Sequence, residues 1–202
     1  MRIFYMDGVV FAALFLAMIC GPGSSFGQKK DSTFFFSEFG FRVTIPSSFD
    51  LVDSVQSAGL NEKGTKAMSE ANNIDMTTGQ LRTLVTARNG KSQYFTATVE
   101  PFDPKRDGDY AQVSRQLRGM TYKAYVAQLP NARIDSSTTS ALIDGERFER
   151  FEIDVILKGS TVLHSVLLSR LYKGYDFGIN YMYTDPASRA AVESILNSCK
   201  FH

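Results

Sequence analysis

The sequence predicts an α+β domain in which a largely antiparallel β-sheet carries helices on both faces, an α/β/α sandwich. Three observations carry this expectation. Apolar and polar residues alternate in short runs, as in Phe151, Ile153, Val155 and Leu157 against Glu152 and Asp154, which is the period of a strand. The runs are punctuated by Asn89-Gly90, Asp144-Gly145 and Lys173-Gly174, and a glycine-bearing dipeptide at such a position suits a two-residue reversal between antiparallel strands. Separate stretches carry helix start and stop signals, among them Asp109, Pro130 and Asp185-Pro186.

In chain order, "FFFSEFGFRVTIP" reads as a strand, a turn at Phe39 and Gly40, and a second strand of Phe41, Val43 and Ile45 ended by Pro46. A mixed stretch then contains a helix from about Asn61 to Ala71, which Gly64 weakens. "QLRTLVTAR" and "KSQYFTATVE" form a hairpin through a two-residue turn at Asn89-Gly90. Gly90-Lys91-Ser92 imitates the end of a phosphate-binding loop, but Val85 stands where the first glycine is required, so turn chemistry accounts for the motif. The loop from Asp103 to Asp109 has Lys105 at a position where an EF-hand needs an oxygen ligand, and it reads as a solvated turn.

The next helix runs from about Tyr110 to Gln128, with Asp109 as N-cap and Gln112 as its reciprocal partner. Two hairpins follow, at Asp144-Gly145 and Lys173-Gly174. Phe148 and Phe151 have opposite parity, so burying both on one face would take a β-bulge at Glu149 or Arg150. The final helix runs from Pro186 to about Ser198. Counting outward from Lys173-Gly174 pairs Tyr172 with Tyr175, Arg170 with Phe177, Leu168 with Ile179, Val166 with Tyr181 and His164 with Tyr183. One face of this hairpin is bulky and aromatic, the other smaller and mixed. Neither is plainly wet, so the sheet is expected to be covered on both sides.

The chain opens with Arg2, an apolar run from Val9 to Ile19, then Gly, Pro and Ser, the order of a secretory signal peptide. The run is shorter than the roughly 20 residues of a membrane span, and no later segment comes close, so no transmembrane span is expected in the mature chain. Two cuts compete. Ser25 and Gly27 form the small-x-small pattern for release ahead of Gln28, giving a signal peptide over 1–27, a flexible lead-in over 28–32 and one domain over 33–202. Alternatively Cys20 carries lipid and anchors the chain to the outer membrane, although Ile19 is bulky for the position before a lipidated cysteine. Export implies a periplasmic or secreted protein. With a net charge of +1 there is no basic excess for nucleic acid.

Candidate chemistry is sparse. His164 is the sole histidine inside the fold, since His202 is the last residue. No Gly-x-Ser-x-Gly elbow accompanies it, and it reads as a polar group hydrogen-bonded to the Tyr183 hydroxyl; a hydrolase using His164 is the alternative. One internal histidine and the helical Cys199 make no transition-metal site unless carboxylates converge from distant strands, so no metal and no cofactor are expected. Glu152 and Asp154 share a strand face and read as a solvated edge. Cys199 lies on the apolar stripe Val192, Ile195 and Leu196 and reads as a buried thiol. The candidate binding residues are Arg170, Tyr172 and Tyr175 at a hairpin tip, because tyrosine and arginine are enriched at binding hot spots, with His164 and Tyr183 on the same ribbon.

"FGFRVTIPSSF", "DGERFERFEI" and "GYDFGINYMYTDPASRAAVESILNSCKF" together resemble the PsbP-like superfamily, whose members include bacterial envelope proteins, over about Phe39 to Phe201. Phe49 stands where that family usually places an aromatic after the proline. The resemblance implies an α/β/α sandwich used as a non-catalytic binding or assembly module. Its partner here is expected to be an envelope protein or a small ligand.

Overall fold

The computed structural model describes residues 30–76, 80–90 and 92–202; Cys20 and the two competing cleavage points lie outside them. Among the described residues, ten strands and four helices follow in chain order: β1 (Ser32–Phe36), β2 (Phe41–Ile45), β3 (Asp50–Leu51), α1 (Ser54–Asn72), β4 (Arg82–Asn89), β5 (Gln93–Pro101), α2 (Pro104–Asp107), α3 (Tyr110–Gln128), β6 (Arg133–Ile143), β7 (Glu146–Leu157), β8 (Ser160–Tyr172), β9 (Tyr175–Tyr183), α4 (Pro186–Ser198) and β10 (Lys200–Phe201). A 7-stranded sheet runs β3-β4-β5-β9-β8-β7-β6, and a 3-stranded sheet runs β1-β2-β10. All strand pairs are antiparallel.

The large sheet separates two apolar layers, because side chains alternate across each strand. On one side Met68 of α1 and Val113, Leu117 and Tyr125 of α3 pack on Phe151, Ile153, Leu167 and Met182. On the other, Val192 and Ile195 of α4 and Phe41, Val43 and Ile45 of β2 pack on Phe148, Leu168, Phe177 and Ile179. The second cover is therefore a helix together with a small sheet. Among the described residues no helix is long and apolar enough to cross a membrane.

The β8–β9 register matches the expectation, from Tyr172 opposite Tyr175 to His164 opposite Tyr183. Asp144-Gly145 and Lys173-Gly174 both have positive φ, at 51° and 82° and at 50° and 80°, and each closes a two-residue turn. The Asn89-Gly90 hairpin is present with a longer loop: Asn89 pairs with Gln93, and Gly90 has φ +64°. A further reversal at Lys158-Gly159 was not legible, although its φ values of 51° and 83° put it in the same class. Phe148 and Phe151 need no bulge, because each serves a different layer and the β6–β7 register is continuous.

The caps follow from side-chain chemistry. Asp53 accepts from the Gln56 amide and starts α1 seven residues ahead of the expected Asn61. Asp109 accepts from the Gln112 amide at the head of α3. Asp185 and Ser188 form a reciprocal capping box on α4.

Candidate functional site

On β7 the two-residue period points Arg150, Glu152 and Asp154 to the side of the sheet that carries α4, the side that also receives Phe148. The ladders bring His164 of β8 opposite Asp154, and Tyr183 of β9 opposite His164. Tyr181 lies beside Tyr183 on the same face. Helix α4 packs on β9, β5 and β2, leaving β7 and the start of β8 half open. The side chains of Glu152, His164 and Asp154 are accordingly 23%, 26% and 36% exposed.

The His164 Nδ1 lies 2.6 Å from Asp154 Oδ1 and 4.0 Å from Glu152 Oε1. Its ring stacks on that of Tyr183, with centroids 4.5 Å apart and planes 17° from parallel. The Tyr183 hydroxyl donates to Glu152 Oε1 at 3.2 Å; burial, followed by the Glu152 charge, pushes its pKa up to about 12. Arg150 donates to Glu152 Oε2 at 2.8 Å and to the Tyr181 hydroxyl at 2.6 Å. From α4, the Arg189 guanidinium lies 5.8 Å from the Tyr183 ring centroid while pairing with Glu193.

Three expectations change at this site. His164 does not bond the Tyr183 hydroxyl: stacking aligns the two rings, and Asp154 takes Nδ1. Glu152 and Asp154 do not mark a solvated edge, because β7 runs between β6 and β8. The carboxylates beside His164 come from the adjoining strand, so no convergence of distant strands is needed to gather an imidazole and two acids, with ligand atoms all within 4.8 Å of one another.

Arg170, Tyr172 and Tyr175 belong to the opposite end of the ribbon, about 27 Å along β8 at roughly 3.4 Å per residue. Arg170 pairs with Glu146, and its guanidinium lies 5.5 Å from the Phe148 ring centroid and 4.9 Å from that of Tyr172. Tyr172 meets Phe177 and Phe201 edge-on, and Tyr175 meets Phe39 edge-on while donating to Glu38 at 3.1 Å. Lys173 donates to the carbonyls of Phe39 and His202 at 3.1 and 3.0 Å. The tip is thus knitted to the β1–β2 turn and to β10, and its rings are engaged in packing. The five candidate residues form two separate groups.

A second polar group, beneath α3, was not anticipated. Glu100 and Asp176 are cross-strand partners, each 2% exposed. Tyr110, the first residue of α3, donates to Asp176 Oδ1 at 2.7 Å. Burial pushes the Asp176 carboxyl up to about 7, against the Tyr110 hydrogen bond and with help from the Glu100 charge. Tyr110 also walls an open hollow of about 630 Å³, together with Ser140, Arg147, Glu149 and Ser169. The available signal was parity: Glu100 follows Tyr94, Thr96 and Thr98 along the row of β5 that faces the same layer as α3.

No protein-family model matches the chain, and no curated protein matches it by sequence. Among solved structures it is similar to the solution structure of cyanobacterial PsbP, CyanoP, from Synechocystis sp. PCC 6803, with a TM-score of 0.53 and 9% identity over 90% of this chain and 98% of that one. It is also similar to the crystal structure of LpqN, involved in cell envelope biogenesis of Mycobacterium tuberculosis, with a TM-score of 0.42 and 10% identity over 86% of this chain and 91% of that one. The likeness to CyanoP, together with the antiparallel sheet and its covers, shows that this chain has a PsbP-like fold.

Proposed function

We propose that this chain is an exported, non-catalytic binding or assembly module of the bacterial envelope, and that it recognises an envelope protein or a small ligand through the half-open face around Glu152, Asp154, His164 and Tyr183. One observation carries the reading: a charged and aromatic cluster lies on the sheet where α4 no longer covers it, with its side chains held by mutual hydrogen bonds. Groups fixed before a partner arrives lose little entropy on binding, which favours recognition at such a face. The order of residues from Arg2 to Gly27 supports export.

The hydrolase alternative requires a nucleophile beside His164. Among the described residues, its ring meets Asp154, Glu152 and Tyr183, none of the serine or cysteine class. Ser165, next in sequence, is buried on the other side of the sheet and bonded to Tyr125. The Cys199 thiol is buried, and burial pushes it up to about 12, far from the thiolate form that attack requires.

A photo-crosslinking residue at Ser137, exposed on β6 opposite Glu152, tests the reading in cells, with Glu62 on the exposed side of α1 as control. A discrete adduct from position 137 that weakens in Glu152→Gln and Asp154→Asn is expected. Equal labelling from both positions, or no adduct at position 137, refutes this face as the recognition surface.

A further inference from the structure

We propose that Glu152, Asp154 and His164 form a binding site for a divalent first-row transition-metal ion, coordinated by one oxygen of each carboxylate and by His164 Nδ1. The proposal deepens, and rests on, the reading of this face as the recognition surface, by naming what it holds.

The geometry is close to what such an ion needs. With metal–ligand bonds of about 2.0–2.2 Å, ligand atoms around a tetrahedral ion stand roughly 3.3 Å apart. The pair Nδ1 and Asp154 Oδ1, at 2.6 Å, opens by less than about 1 Å to reach that spacing. Glu152 Oε1, at 4.0 Å from Nδ1, closes by a similar amount. Side-chain torsions supply both movements, because the ladder fixes Asp154 opposite His164 and places Glu152 one period along on the same face.

Groups behind the ligands hold two of them in place. Arg150 holds Glu152 Oε2 and leaves Oε1 directed toward the imidazole. Tyr183 stacks on the His164 ring and donates to the same Oε1, fixing two ligands at once. Such outer contacts orient ligands and tune affinity. Partial exposure of all three side chains lets water complete the coordination shell.

The chemistry also selects the ion. An imidazole among the ligands disfavours Mg²⁺ and Ca²⁺, which prefer an all-oxygen shell, while a nitrogen and two carboxylates suit Zn²⁺ and its first-row neighbours. Two carboxylates against Arg150 leave one negative charge to meet the ion, which sets a moderate affinity. On binding, the contact between Nδ1 and Asp154 gives way to two metal bonds: the Nδ1 proton leaves to solvent, a neutral ring takes one up at Nε2, and Nδ1 presents its lone pair to the ion.

Zinc chloride titrated into the EDTA-stripped, dialysed protein tests this by calorimetry and by imidazole NMR, where a chain with 2 histidines leaves little ambiguity. We expect one ion per chain, perturbed His164 signals, unchanged His202 signals, and no response to the same concentration of MgCl₂. Asp154→Asn and His164→Gln should each weaken binding at least tenfold, while His202→Gln leaves it unchanged. If His164→Gln does not fold, as judged from its amide spectrum, Asp154→Asn and Glu152→Gln decide alone. Unaltered affinity in the carboxylate variants, a response confined to His202, or equal competition by Mg²⁺ overturns the proposal. The two readings fail separately: a Ser137 adduct without zinc binding refutes the metal site alone, and zinc binding without the adduct refutes the recognition surface alone.

Discussion

Asp176 and Gly40 show how single residues govern this fold by different physics. Asp176 and Glu100 are buried side by side, and two ionised carboxylates on neighbouring strands in a dry layer repel each other. Burial disfavours the charged form of Asp176, and the Glu100 charge adds to this, so Asp176 keeps its proton to about pH 7 in the folded chain, whereas the unfolded chain loses it near pH 4. The sign follows from the raised folded value. This contribution to stability is fully present below about pH 4, falls as pH rises toward 7 and is flat above it. Its span is on the order of 4 kcal/mol at most. Urea unfolding at pH 4.5, 6 and 8 should show this decline in the wild type and a flatter profile in Asp176→Asn; parallel profiles would refute it. At Gly40, φ is +62° and an added Cβ would lie 2.2 Å from the His202 carbonyl oxygen. Gly40→Ala combines a left-handed backbone with a clash against backbone, and a loss of about 2–3 kcal/mol is expected. In a domain of this size that lowers Tm by roughly 5–10 °C, measured by thermal unfolding.

Elements were legible where one local rule decided them. α3 and α4 carry an aspartate N-cap at one end and a recognisable stop or helix-starting proline, and their expected bounds agree with the structure. The β8–β9 register followed from counting, since a two-residue turn fixes every pair beyond it. Lys158-Gly159 escaped, although the same dipeptide was read at Lys173-Gly174, because the pairing shifts after Val155 and breaks the count. The site was half legible for the same reason. Register placed His164 opposite Tyr183, but side-chain torsions, which no period encodes, sent Nδ1 to Asp154 and the phenol to Glu152. The seam between α4 and β2 was also out of reach. Ser198 Oγ accepts from the Thr44 amide at 2.9 Å and lies 3.1 Å from the Thr44 carbonyl. Ser198→Ala strands that amide, at an expected cost of about 1–2 kcal/mol. Faster hydrogen exchange at Thr44, with the β7 amides unchanged, is the check; unchanged exchange at Thr44 argues against this role of the seam.

At the scale of the molecule, the sheet is a partition between two layers that share no side chains. The α/β/α expectation therefore held in outline; the two strands of β1 and β2 and their turn were read, while their joining with β10 in a separate small sheet was not foreseen, because a strand as short as Lys200–Phe201 carries no periodicity to read. Export is a whole-chain property with its own measurement. Mass spectrometry of the native N-terminus should find a start at Gln28, and a diacylglyceryl group on Cys20 would replace that reading with a lipid anchor.

Strand β2 completes its sheet only when β10 arrives from the late end of the described chain, and Thr44 meets its helix partner across 154 positions. Contacts of such range are slow to form, because the intervening polymer must be gathered first. A polypeptide whose closing clasp joins its early and late segments leaves its first two strands unclasped until nearly all of it has emerged.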